Sequence, residues 1–284
     1  MATDERSRRS TFLAETALLN LIRQLGGKAA ELVVIGGLTP DHLTAGGANT
    51  HIGTNDIDVL VSVAVVYDRE EQDFSWLESG LQHAGFTPDP PYGSGWRWRT
   101  VIDDFVIKLD LLCDVSGHER NEPVALPGCE LASAMNLPGT GGAFADLEHH
   151  ELASDAARVD VRFTGIAGYL LSKGAAVCRR GAERDFYSFA YVLVHYREGG
   201  AETAARAASS AVGRDGYSHL RNDLLRAAGL YIDDDRPGAH AYASQSIDAG
   251  SEDSFETLLE DATGAALVLR TTLLEDHGLT DGDR

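Results

Sequence analysis

Asp56 and Asp58 stand two residues apart in the run Thr54-Asn55-Asp56-Ile57-Asp58-Val59. In a strand, side chains alternate faces, so both carboxylates point to one side while Ile57 and Val59 point to the other, into a core. Two like charges so placed repel unless a cation sits between them. Upstream, the apolar run Val33-Val34-Ile35 ends in Gly36-Gly37, a turn open to the close approach of phosphate oxygens. Downstream, Asp110 interrupts the apolar run from Phe105 to Cys113. An unpaired carboxylate buried there costs several kcal/mol, roughly 2–7 for a neutral polar group and more for a charge. Three acids on neighbouring strands suit two Mg²⁺ ions about 3.5–4 Å apart. One ion lowers the pKa of an attacking hydroxyl and the other neutralises a phosphate leaving group. Thr54 lies two residues before Asp56, where its hydroxyl reaches a phosphate or a metal-bound water.

Hydrophobic periodicity says which elements must position these groups. Residues 11–25 carry Leu18, Leu21, Ile22 and Leu25 at helical spacing, and Gly26-Gly27 stops them. Residues 31–35 read as a buried strand, Thr39-Pro40 as a helix start, and residues 56–63 as a second strand. Glu70 to Ala84 reads as a helix capped by Gly85. Arg97–Ile102 and Phe105–Cys113 form a hairpin turned by Asp103-Asp104. Residues 114–145, rich in Gly and Pro, read mainly as loop, and Arg158–Phe163 as a last strand. After that the period turns helical, over 167–180, 185–197, 202–212, 219–228 and 255–275. The acidic stretch 232–252 reads as loop or linker. The fold class expected is α+β, with a mixed β-sheet domain over residues 1–160 and a helical domain over 161–284. Two lobes with a cleft between them follow from that division.

The chain of 284 residues is 43% hydrophobic and carries a formal net charge of −20. No segment reaches the roughly 18 apolar residues of a membrane span, and Met1–Ser10 is polar, so neither a membrane span nor a secretory leader is expected. Cys113, Cys129 and Cys178 are too dispersed for a zinc or disulfide framework, which suits a reducing cytoplasm. The charge opposes a generic nucleic-acid binder, though a local arginine cluster can act inside an acidic whole.

In this order, the motifs resemble the nucleotidyltransferase superfamily related to DNA polymerase β, and within it the AbiEii/MenT group of nucleotidyltransferase-like toxins. The resemblance is carried by Ile35-Gly36-Gly37, by His51-Ile52-Gly53-Thr54-Asn55-Asp56-Ile57-Asp58-Val59, by Leu109-Asp110-Leu111-Leu112, by Lys173 in Leu170-Leu171-Ser172-Lys173-Gly174, and by Asp185 in Arg184-Asp185-Phe186-Tyr187. It covers roughly residues 30–195. It implies an NTP substrate, two Mg²⁺ ions on Asp56, Asp58 and Asp110, backbone contacts from Gly36 and Gly37 to the triphosphate, a phosphate contact from Lys173, and an orienting role for Asp185. It further implies tRNA as acceptor, a toxin's role, and a cognate antitoxin that phosphorylates the hydroxyl at the place of Thr54. The segment from Gly37 to Asp56 is longer than in minimal members and holds a second pair, Gly46-Gly47. Ser188 stands where many relatives carry another acid.

The remaining cations are read from spacing. Lys173 borders the apolar face Ile166, Leu170 and Val177, and Arg179, Arg180 and Arg184 follow it. This cluster suits a Mg–triphosphate or acceptor phosphate, and equally the C-terminal dipole of its own helix. Arg206, Arg214, Arg221 and Arg226 read as solvated helix charges or as an RNA patch. Trp96-Arg97-Trp98-Arg99 reads as two core tryptophans with two exposed arginines, or as a base-stacking strand. His149-His150 reads as an exposed loop pair. The expected activity is transfer of a nucleoside monophosphate from an NTP to an acceptor hydroxyl, with tRNA as the acceptor the resemblance implies. The alternatives are the same chemistry on a small cationic acceptor, as in aminoglycoside nucleotidyltransferases, and a non-catalytic nucleotide-binding module. The net charge favours the cationic acceptor.

Overall fold

The computed structural model describes residues 8–44, 51–63, 72–89, 95–154 and 157–280; Gly46-Gly47 lies outside them. The chain divides into two compact units. Unit 1 holds residues 1–38, 52–141 and 148–163, and unit 2 holds 39–51, 142–147 and 164–284. The main division thus falls near residue 160, and two short segments from the first half cluster with the helices.

Unit 1 is built on a mixed, nine-stranded sheet. Helix α1 (Arg8–Leu25) precedes strand β1 (Leu32–Ile35), and strand β2 is Asp56–Val61. Helix α3 (Ser75–His83) is followed by β3 (Thr87–Pro88), β4 (Arg97–Ile102), β5 (Phe105–Cys113), β6 (Pro123–Ala125), β7 (Ser133–Asn136), β8 (Leu147–Ser154) and β9 (Ala157–Thr164). The order across the sheet is β3-β4-β5-β2-β1-β9-β8, with β7 on β5 and β6 on β7. Strand β2 runs antiparallel to β1 and parallel to β5.

One face of the sheet is the core. Ile57, Trp98, Ile107, Leu109 and Leu111 are fully buried there with Leu18 and Leu21 of α1 and Leu77 and Leu81 of α3. Trp98 also donates its indole N–H to the Gly95 carbonyl at 2.8 Å, so the largest buried side chain leaves no donor unmatched. The β4–β5 turn is the two-residue hairpin expected, and both Asp103 and Asp104 have positive φ, +50° and +65°. That conformation matches the right-handed twist of the flanking strands.

Three expectations need correction in unit 1. The helix expected from Glu70 starts at Ser75, where Asp73 accepts the Ser75 N–H at 2.8 Å in an Asx turn; residues 70 and 71 lie outside the described residues. The stretch 114–145 is more than loop. It contains β6 and β7, held by the buried Asn136 amide, which accepts from Val115 N–H at 2.8 Å and donates to the His118 carbonyl at 3.0 Å. His149 and His150 lie on strand β8, facing Asp160 at 2.5 Å and Glu148 at 3.0 Å.

Unit 2 is helical. Short α2 (Thr39–Leu43) joins α4 (Ile166–Arg180), α5 (Glu183–His195), α6 (Gly200–Val212), α7 (Arg221–Ile232), α8 (Pro237–Asp248) and α9 (Phe255–Asp276). Helix α8 corrects the expected linker at 232–252. Its proline stands in the first turn, and Ala239, Tyr242, Ala243 and Ser246 form its buried stripe. Small residues give that stripe a weak periodic signal, while the acids outside it dominate the composition. Among the described residues, no helix is long and apolar enough to cross a membrane.

Candidate active site

The second face of the sheet in unit 1 carries the charges. Strand register pairs Asp58 with Asp110 across β2 and β5, and Asp56 with Lys108. Partners in register point to the same side, so all three acids project from one face, with Ile57, Val59, Leu109 and Leu111 behind them. The next strand extends both rows, since Arg97 pairs with Asp110 and Arg99 with Lys108. Across β4, β5 and β2 one row therefore reads Arg97, Asp110, Asp58 and the other Arg99, Lys108, Asp56, with cations on the β4 side and acids on β2.

The glycine turn closes on these acids. Gly36 follows β1, whose Ile35 is the register partner of Asp58. Its φ is +74°, and a Cβ added there would lie 1.8 Å from Asp58 Oδ2. A Cβ on Gly37 would lie 2.7 Å from Thr54 Oγ1. Only glycines admit this approach of backbone to carboxylate and hydroxyl. The Thr54 hydroxyl accepts the Asp56 N–H at 3.0 Å, and the Thr54 N–H donates to Thr11 Oγ1 at 3.0 Å. Thr54 thus braces the first residue of β2 from α1, a structural duty that spacing did not reveal.

The acids differ in their partners. Asp56 Oδ1 is buried and has no hydrogen-bond partner. Asp110 is bonded at both oxygens by Arg97, with Nε donating to Oδ1 at 2.6 Å and a terminal nitrogen donating to Oδ2. Burial raises the Asp110 carboxyl above its ordinary 3.8, Arg97 pulls it down, and the Asp56 charge adds to the rise. Arg97, expected either as an exposed arginine or as part of a base-stacking strand, is instead largely buried in an ion pair with Asp110. Its partner is thirteen residues away across a hairpin, so only the register of β4 on β5 reveals the pair.

Among the described residues, no three His, Cys, Asp or Glu side chains are gathered into a ready metal shell. The donor chemistry nevertheless fits a hard cation: carboxylate oxygens on rigid strands, one of them buried without a partner. Asp56 and Asp58 would hold Mg²⁺, with Asp110 completing the set.

The other predicted residues gather in unit 2. Asp185, on α5, is 2% exposed. Its Oδ1 accepts from Lys173 Nζ at 3.2 Å and from a terminal nitrogen of Arg180 at 2.9 Å, while Oδ2 is buried with no hydrogen-bond partner. Lys173 also lies 5.9 Å from the Tyr169 ring centre. Burial alone would raise the Asp185 carboxyl, but Lys173, Arg180 and Arg184 outweigh it and hold it below 3.8. Arg184 acts through its charge, from an exposed position. Arg179 pairs with Asp223 at 2.7 Å. His51 packs within unit 2 on α5, with its ring against Tyr187 and Tyr191 and its Nε2 3.2 Å from Ser188 Oγ.

No family model, curated protein or solved structure matches the chain.

Proposed function

We propose that this protein is a Mg²⁺-dependent nucleotidyltransferase. The acceptor hydroxyl oxygen forms a bond to the α-phosphorus of an NTP, the bond from that phosphorus to the bridging oxygen breaks, and pyrophosphate leaves with the electron pair. The hydroxyl proton passes to a nearby base, for which Asp110 is the candidate. The observation that supports this most is the placing of Asp56, Asp58 and Asp110 on one sheet face against a glycine turn that only a missing Cβ permits. Asp56 and Asp58 would hold the metal, whose chemistry is to neutralise phosphate charge and acidify the acceptor hydroxyl. Gly36 and Gly37 keep side chains away from the polyphosphate. As the resemblance implies, Lys173 is proposed to contact a phosphate of the nucleotide or of the acceptor, and Asp185 to orient it.

The acceptor suggested by the resemblance is an RNA hydroxyl, with tRNA first, and the physiological role that of a toxin restrained by an antitoxin. A small cationic acceptor is the second reading, favoured by the net charge of −20, which steers cations inward and repels polyanions. The test incubates the protein with each α-labelled NTP, Mg²⁺, and either total tRNA or an aminoglycoside panel. Label is expected in one acceptor class and absent with Asp56→Ala. Transfer by Asp56→Ala at the parental rate would remove the carboxylates from the chemistry. Absence of transfer with Mg²⁺-dependent NTP binding retained would leave the non-catalytic nucleotide-binding module as the reading, and absence of both would remove the nucleotide from it.

A further inference from the structure

Asp110 already has a cation. Arg97 engages both of its oxygens, and the two side chains are only 18% and 10% exposed. A forked guanidinium so placed occupies one lone pair on each oxygen, and its charge repels a second cation. On the next strand, Asp58 stands in register with Asp110, and Asp56 Oδ1 is buried without a hydrogen bond. One side of the acidic row is thus satisfied by Arg97 while the other carries an unmatched acceptor. The guanidinium also lies over the Trp96 ring, its carbon 4.6 Å from the ring centre, so a second surface that attracts cations is within reach without a large excursion.

We propose that Arg97 is a positioning residue that latches Asp110 in the nucleotide-free protein and releases it when Mg–NTP binds. The latch rests on the transferase reading. In the free protein, Arg97 keeps Asp110 oriented and prevents three carboxylates from collecting a metal ion without substrate. Binding of the metal–nucleotide at Asp56 and Asp58 places positive charge beside Asp110 and negative phosphate charge beside Arg97. The pair then separates, Asp110 turning to the metal and Arg97 to the phosphates, with the Trp96 ring it already covers still beneath it. An arginine that only stabilised the fold would show no such exchange.

The test measures Mn²⁺ binding to nucleotide-free protein by electron paramagnetic resonance, for the wild type, Arg97→Ala, and Arg97→Ala with Asp110→Asn. Arg97→Ala is expected to bind Mn²⁺ about tenfold more tightly, since a repelling charge is removed, and the added Asp110→Asn to cancel the gain. In parallel, the Arg97 Nε–H resonance of the full-length wild type, assigned by its loss in Arg97→Lys, is followed during titration with Mg²⁺ and a non-hydrolysable NTP. It is expected to move on saturation. A folded Arg97→Ala that binds Mn²⁺ no more tightly, or an Arg97 resonance that stays fixed while Mg–NTP saturates, overturns the latch alone. If Arg97→Ala does not fold, the wild-type resonance decides. Failure of the wild type to bind Mn²⁺ even with NTP overturns both the latch and the transferase reading.

Discussion

Gly36 and Asp58 meet where β1 ends and β2 begins, so closely that a Cβ on Gly36 would overlap Asp58 Oδ2 at 1.8 Å. The glycine also has φ +74°, a conformation that costs an ordinary residue about 1–2 kcal/mol. Gly36→Ala therefore carries two penalties, one of backbone and one of collision. The expected result is a loss of roughly 2–3 kcal/mol of unfolding free energy and a displaced Asp58, read as lower urea resistance with transfer abolished. Retained activity in a protein of unchanged stability would mean that the turn is free to move.

Asp56 predicts the opposite sign. Its buried Oδ1 has no hydrogen-bond partner, and an unmatched buried acceptor costs about 1–3 kcal/mol. Removing the carboxylate relieves that cost in metal-free protein. Asp56→Ala is expected to melt at or above the parental temperature in chelator while losing all transfer. A large drop in melting temperature would show that the carboxylate supports the fold.

Much of this face was legible. Alternation along Asp56-Ile57-Asp58-Val59 fixes which side chains share a side, and the Phe105–Cys113 run puts Asp110 on a neighbouring strand. What alternation cannot supply is register. Whether Asp110 lies beside Asp58 or one pair further along depends on how β5 slides against β2, and the pairing of Arg97 with Asp110 depends on the two-residue turn at Asp103-Asp104. Helix α8 was hidden for another reason. Its buried face is Ala239, Ala243 and Ser246 with one tyrosine, so it contributes packing without the large apolar residues that reveal a helix.

The hairpin turn offers a gain in stability. Asp103 and Asp104 both occupy positive φ, where Asn and Gly are preferred. Asp103 also faces Arg9 at 3.7 Å, but both side chains are more than 60% exposed, and such pairs contribute little. Replacing the pair by Asn-Gly is expected to raise stability by about 1 kcal/mol, measured as a higher denaturation midpoint with unchanged slope. A fall would mean that the Arg9 contact outweighs the backbone strain.

Lys173 and Arg180 share Oδ1 of Asp185, so losing the lysine leaves one cation in place. Lys173→Ala is expected to cost about 1.5–3 kcal/mol, the range for a charge-assisted bond, whereas Asp185→Asn leaves both cations without their counter-charge and should cost about 3–5 kcal/mol. If Lys173 also meets the nucleotide, its alanine variant will weaken NTP binding in protein that is still folded. Unchanged NTP affinity would confine it to the ion pair.

Acid should reveal the same group. Burial pushes the Asp185 carboxyl up, yet Lys173, Arg180 and Arg184 bring it below the ordinary 3.8. The unfolded chain therefore binds this proton more readily than the folded one as pH falls. The stabilisation is fully present above 3.8 and disappears as pH drops through the lowered folded value. Parent and Asp185→Asn should differ most near neutrality, and their stabilities should converge at the acid end because the parent's carboxyl is then neutral as well. Urea denaturation from pH 7 downward measures both curves, and parallel curves across the acid range would remove Asp185 from the acid response.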